Sequence, residues 1–119
     1  MLFVVAVTGA SGSVYARRLL EELKHAGHET LLLLRDEAKA VMKHENESLL
    51  KFTELATRTF TDHDLDSPAS SGSVKTAGMI IVPCSMKTAS YIAYGISCNA
   101  ITRAATMTLQ DRGPLILVP

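Results

Sequence analysis

The chain has 119 residues, enough for one domain with a real core and too few for two. Apolar residues make up 47% and charged residues 20%, which excludes a disordered chain. Twelve basic residues balance twelve acidic ones, so no net field points to nucleic acid or an anionic membrane, and any anion site must be local.

Leu2 to Val7 is a short apolar run rich in β-branched residues, apolar on both faces, which suits a central parallel strand. It is too short for a membrane span or a signal h-region and has no basic segment before it, so the expected location is cytoplasmic. Gly9-Ala10-Ser11-Gly12-Ser13 follows. Ala16, Leu19, Leu20 and Leu23 then repeat at helical spacing, with Arg17, Arg18, Glu21, Glu22 and Lys24 on the other face, and Gly27 ends the helix. Glu29 to Leu34 reads as a second buried strand, Asp36 to His44 and Ser48 to Thr57 as helices, and Thr59 to Thr61 as a short edge strand.

Residues 62–77, "DHDLDSPASSGSVKTA", form a long polar stretch of the kind that is more often functional than idle. Gly78 to Val82 is a third clear strand, "PCSMKT" opens a helix through Tyr94, and Gly95 breaks it. Asn99 to Arg112 is helical, with Ile101, Ala104, Ala105, Thr108 and Leu109 on one face. Gly113-Pro114 stops it, and Leu115 to Val118 is a fourth strand. Cys84 and Cys98 read as reduced thiols in the core or lining a site. His25, His28, His44 and His63 show no metal-ligand spacing and read as surface residues, so no metal is expected.

Strands alternating with helices predict an α/β fold: a three-layer, Rossmann-like (flavodoxin-like) parallel sheet with helices on both faces. Such sheets bind ligands beyond the carboxyl ends of their strands, where the strand order reverses. The loops at 8–13 and 83–88 both leave a strand and open a helix, and are expected to be neighbours in space.

The glycine spacing of the first loop matches no dinucleotide fingerprint. G-x-G-x-x-G aligned on Gly9 meets Ser11 and Val14 where glycine is needed. The short-chain dehydrogenase variant meets Ser13 and Tyr15, and a tyrosine there fills the space through which a pyrophosphate approaches the helix. The second loop supplies different chemistry. Ser85-Met86-Lys87-Thr88 puts free N–H groups, a helix dipole, two hydroxyls and an ammonium together, a cradle for one phosphate. It is no Walker A loop, and taken alone Ser85 is a helix cap and Lys87 a surface charge; the first loop beside it favours a site.

"TGASGSVYARRLL", "SSGSVKTAGMIIVPCSMKT" and "ITRAATMTL" together resemble the UbiX/Pad1 family of flavin prenyltransferases, in order and spacing along nearly the whole chain. The resemblance implies an FMN-binding domain over residues 1–119. It also implies transfer of a dimethylallyl group from dimethylallyl monophosphate to N5 and C6 of reduced FMN, giving a prenylated flavin for a UbiD-type decarboxylase. Homo-oligomers with sites at subunit interfaces are implied as well. Carried over by motif, Gly9, Ala10 and Ser11 contact the flavin, with the Ser11 hydroxyl and amide facing the ring system or ribityl chain. Ser85, Met86, Lys87 and Thr88 hold FMN, largely around its phosphate, and Ser71-Gly72-Ser73 lies near the flavin or a subunit interface.

Departures from the family pattern are also legible. Arg35 stands where the family has a Ser or Thr that binds FMN, and an arginine there can meet a phosphate. Cys98-Asn99 replaces "DN", Thr106 replaces an aspartate, and Gln110 replaces a lysine that helps bind the substrate phosphate. In the family the last strand runs into Arg-Glu-Thr-Pro, whose Arg binds flavin and whose Glu is the leading acid–base candidate. The sequence stops at Pro119, so the expectation is a domain truncated at its carboxyl end, with catalytic residues unassigned. Two alternatives stay open: a non-catalytic FMN-binding module or degenerate copy, and an NADP-binding enzyme of the short-chain type, suggested by Thr8-Gly9 and Arg35 and opposed by Tyr15.

Overall fold

The computed structural model describes all 119 residues. Five strands, β1 (Leu2–Val7), β2 (Glu29–Leu34), β3 (Arg58–Thr61), β4 (Gly78–Ile81) and β5 (Leu115–Leu117), pair in parallel in the order β3-β2-β1-β4-β5. Six helices connect them: α1 (Ser13–His25), α2 (Asp36–His44), α3 (Leu49–Leu55), α4 (Pro68–Ser71), α5 (Met86–Ala93) and α6 (Ala100–Gln110). The three-layer α/β architecture expected from the alternation is the one observed.

The period-2 geometry of the strands splits the core into two halves. Val5, Val7, Leu32 and Leu34 face one side and pack with Ala16 and Leu20 of α1, Ala38 and Met42 of α2, and Phe52 of α3. Val4, Ala6, Leu31, Leu33, Met79 and Ile81 face the other, where Ala69 of α4 and Ile101, Ala104 and Ala105 of α6 cover them. The chain thus winds outward from β1 to β3 on one face and crosses back to β4 on the other. The order reverses between β1 and β4, which sets the switch point beyond the carboxyl ends of these two strands.

Three sequence readings are corrected. The polar stretch 62–77 contains a helical turn, α4, because Ser67 caps it, accepting from the Ser70 amide, and Pro68 supplies the preset φ of its first residue. Leu109 does not share the buried stripe of α6 and is half exposed, since it sits about 80° around the helix from Ile101. His28 is only partly exposed: its ring packs edge-on against Phe3, at 5.3 Å between centroids, and its Nδ1 lies 3.2 Å from the amino terminus. The other three histidines are on the surface as expected.

Candidate functional site

Thr8, the first residue after β1, is buried and ties the two loops together. Its hydroxyl donates to the Pro83 carbonyl at 2.6 Å and accepts from the Ser85 amide at 2.9 Å, and its own amide donates to Pro83 O at 3.3 Å. The expected adjacency of the two loops is therefore present. Gly9 follows and lies close against α2: a Cβ there would lie 2.6 Å from the Glu37 Cβ. Ser85 caps α5, with its Oγ accepting from the Thr88 amide at 3.2 Å and donating to the Thr88 Oγ1 at 3.0 Å. Both hydroxyls are thus committed to the cap, whereas the first two amides of α5, Met86 and Lys87, have no partner within the protein.

A cavity of about 220 Å³ lies against these groups, lined by Gly9, Arg35, Glu37, Ser85, Lys87 and Thr88. A second, of about 310 Å³, continues from it past Arg35 and Lys87 and is bounded by Asp62, Tyr91, Cys98 and Asn99. The two share Arg35 and Lys87, so they form one groove along the carboxyl edge of the sheet, of the size of a small-molecule site, roughly 300–1,000 Å³.

The two cations differ in availability. The Arg35 Nε bonds the Glu37 carboxylate at 3.1 Å and its Nη1 pairs with Asp62 Oδ2 at 3.3 Å, so two carboxylates already meet its charge. The same pairing pulls the Glu37 carboxyl below its usual range. Burial pushes the Asp62 carboxyl up, against the opposing pull of Arg35. The Asp62 backbone carbonyl accepts from the Ala100 amide at 3.0 Å, so the residue also anchors the start of α6. Lys87 has no carboxylate partner. It is exposed, and its ammonium sits 5.8 Å from the Tyr91 ring centroid.

Of the residues singled out in the sequence, the structure brings Gly9, Arg35, Ser85, Lys87 and Thr88 around one cavity. Ala10, Ser11 and Met86 lie outside the lining of both cavities; Ser11 and Met86 are exposed. Gly72 lines a separate small cavity of about 120 Å³ with Val74 and Met107. Gln110 ends α6, at the opposite end of that helix from Asn99. Sequence reasoning missed Asp62, Tyr91 and the lining role of Asn99. The only signal for Asp62 was its place in the long polar stretch, and Asn99 was read only as the start of a helix. Cys84 is buried, with burial raising its thiol pKa, and Cys98 lines the groove.

The comparisons with known proteins agree with this fold. The Flavoprotein family model matches residues 2–119. Flavin prenyltransferase UbiX of Thermoplasma acidophilum is 45% identical over 120 residues, covering 100% of this chain and 66% of that protein. The crystal structure of AnUbiX in complex with FMN and dimethylallyl pyrophosphate superposes with a TM-score of 0.94 at 37% identity, over 98% of this chain and 63% of that one. A dodecameric FMN-dependent UbiX-like decarboxylase from Escherichia coli O157:H7 superposes with a TM-score of 0.95 at 36% identity, over 100% and 66%. The chain thus spans slightly under two thirds of the length of these relatives. With the family model matched almost end to end and UbiX-type flavin prenyltransferases as its relatives, the chain belongs to the flavoprotein family.

Proposed function

We propose that residues 1–119 form a single FMN-binding domain of a UbiX-type flavin prenyltransferase, with dimethylallyl monophosphate as the prenyl donor, a homo-oligomeric assembly, and a UbiD-type decarboxylase as the user of the product. The observation that carries this reading is the groove at the β1/β4 crevice, with one unpaired cation and one open helix N-terminus at its edge. These groups fit a ligand with a single phosphate. Lys87 supplies charge, and the Met86 and Lys87 amides supply donors on the positive end of the α5 dipole. The rest of the groove offers polar and aromatic contacts from Asn99 and Tyr91.

Reduced FMN, when bound, supplies the N5 and C6 atoms to which the dimethylallyl group is joined. The work of this chain's residues is binding and placement. Lys87 and the start of α5 hold the phosphate end. Gly9, lacking a side chain, lets the first loop lie against Glu37 of α2 beside the crevice. Arg35, fixed between Glu37 and Asp62, separates the two halves of the groove as a rigid partition rather than as a free anion contact. The pairing of Arg35 also speaks against an NADP reading, which needs a guanidinium free for a 2′-phosphate.

The test is a fluorescence titration of the purified protein with FMN and with NADPH, followed by addition of dimethylallyl monophosphate to the reduced flavin complex. FMN binding tighter than NADPH binding and a flavin product heavier by one dimethylallyl group are expected. A parallel incubation with the diphosphate identifies the donor. FMN binding without product would support the non-catalytic module, and preference for NADPH would overturn the proposal.

A further inference from the structure

Arg35 stands beside Lys87 in the wall of the crevice, and its side chain is 18% exposed. Glu37, two residues on, is 62% exposed, so the pair has an inner cation and an outer carboxylate. The Glu37 Oε2 accepts from Arg35 Nε at 3.1 Å, and its Oε1 accepts from Nη2 at 3.4 Å. Both carboxylate oxygens thus meet the Nε–Nη2 side of the guanidinium, the fork that also takes two oxygens of a phosphate. On the far side, Nη1 is held by Asp62 at 3.3 Å.

The two carboxylates are placed differently. Asp62 is only 8% exposed, and its backbone carbonyl anchors the start of α6. Glu37 lies in the first turn of α2 and lines the 220 Å³ cavity together with Ser85, Lys87 and Thr88. A second observation puts its charge at the same place: after Arg35 and the amide of its own residue, Lys87 also pulls the Glu37 carboxyl down, so Glu37 lies in the field of both cations. The root of the side chain is fixed, because Gly9 of the first loop lies close against its Cβ. A carboxylate of the protein is therefore set into the wall of the cavity that a phosphate has to enter.

We infer that Glu37 is a specificity-determining residue: it masks the phosphate-binding side of Arg35, leaves Lys87 as the cation open to a ligand, and so fits the cavity to a monophosphate and sets it against a diphosphate. A second phosphoryl group, beyond the one at α5, finds Arg35 occupied and a carboxylate facing it. The inference rests on the phosphate locus proposed above at the start of α5.

The experiment uses inorganic phosphate and pyrophosphate with the whole chain and no flavin, at low ionic strength so that the charges are not screened. Calorimetric titrations compare the wild type, Glu37→Gln, Arg35→Gln and the double variant. Glu37→Gln keeps the size of the side chain and removes its charge. It is expected to bind pyrophosphate about tenfold more tightly than the wild type, and phosphate only about twofold more tightly. With Arg35→Gln in place, the same change is expected to gain less than about twofold, because the masked cation is gone. Equal pyrophosphate affinity in the wild type and Glu37→Gln, including binding by neither, would overturn the inference. So would a full gain that survives Arg35→Gln, which would make Glu37 a general repulsive charge. The FMN titration keeps the two readings apart. FMN bound by the wild type with no pyrophosphate gain in Glu37→Gln removes the mask and leaves the FMN site, whereas a pyrophosphate gain without FMN binding does the reverse.

Discussion

Lys87 is the cation on which the ligand assignment turns, because Arg35 is already held by Glu37 and Asp62. Hydrogen bonds to charged groups are worth about 1.5–3 kcal/mol, so Lys87→Ala is expected to raise the Kd for FMN by roughly 10- to 100-fold. Riboflavin, which lacks the phosphate, should lose less than about twofold; equal losses in the two fluorescence titrations would remove Lys87 from the phosphate. Gly9 makes a different kind of prediction. A methyl group there collides with the Glu37 Cβ, and overpacking of this sort costs about 1–3 kcal/mol. Urea denaturation of Gly9→Ala should show that loss, and unchanged stability would mean that β1 and α2 part easily. Lys87 was legible because strand, cap and helix are consecutive in "PCSMKT". The neutralisation of Arg35 was not legible, since Asp62 reaches it only after β3 pairs with β2.

At the scale of elements, the start of α1 depends on a residue more than thirty positions away. Gly12, in the left-handed region at φ 114°, makes no side-chain cap, and Glu45 takes over that role. The bonds from Ser13 and Gly12 hold the Glu45 carboxyl below its ordinary value of about 4.3. A carboxyl depressed in the folded state contributes stability above its unfolded pKa and loses it as the pH falls through its folded pKa. The wild type is therefore expected to lose stability more steeply below about pH 4.3 than Glu45→Gln, with the gap between them closing in acid. Denaturant midpoints measured from pH 7 to pH 3 check this, and parallel curves would show that Glu45 carries no such linkage. Sequence patterns located the helices well: apolar spacing marked α1, and Ser85 was visible as a cap. No pattern marks Glu45, because a cap supplied from outside its own helix has no fixed spacing to be read.

For the whole molecule, the fold was legible because the inner strands β1, β2 and β4 of the doubly covered parallel sheet are nearly unbroken apolar runs. The adjacency of the loops after β1 and β4 was expected from the rule that parallel sheets bind ligands at a switch point beyond their carboxyl ends. What the apolar runs could not supply was the strand order, and with it which face each right-handed crossover covers. Phe52 shows how much rests on that: it is fully buried and seats the short helix α3 against the α1 and α2 side of the sheet. Phe52→Ala should cost about 3–5 kcal/mol in denaturant unfolding, and a cost under about 1 kcal/mol would mean that α3 contributes little to that half of the core.

The doubled hydrogen bond at Thr8 bears on motion. Because one hydroxyl is anchored to Pro83 and Ser85 at once, the first loop cannot swing without carrying the second. The Ser85 amide is consequently locked to the end of the central strand, and should exchange its proton for deuterium about as slowly as the amides inside β1, although it sits at the rim of an open groove. Thr8→Val keeps the shape and removes both bonds. Ser85 should then exchange like an ordinary surface loop while β1 stays protected, turning a rigid frame that waits for its ligand into one the ligand must assemble.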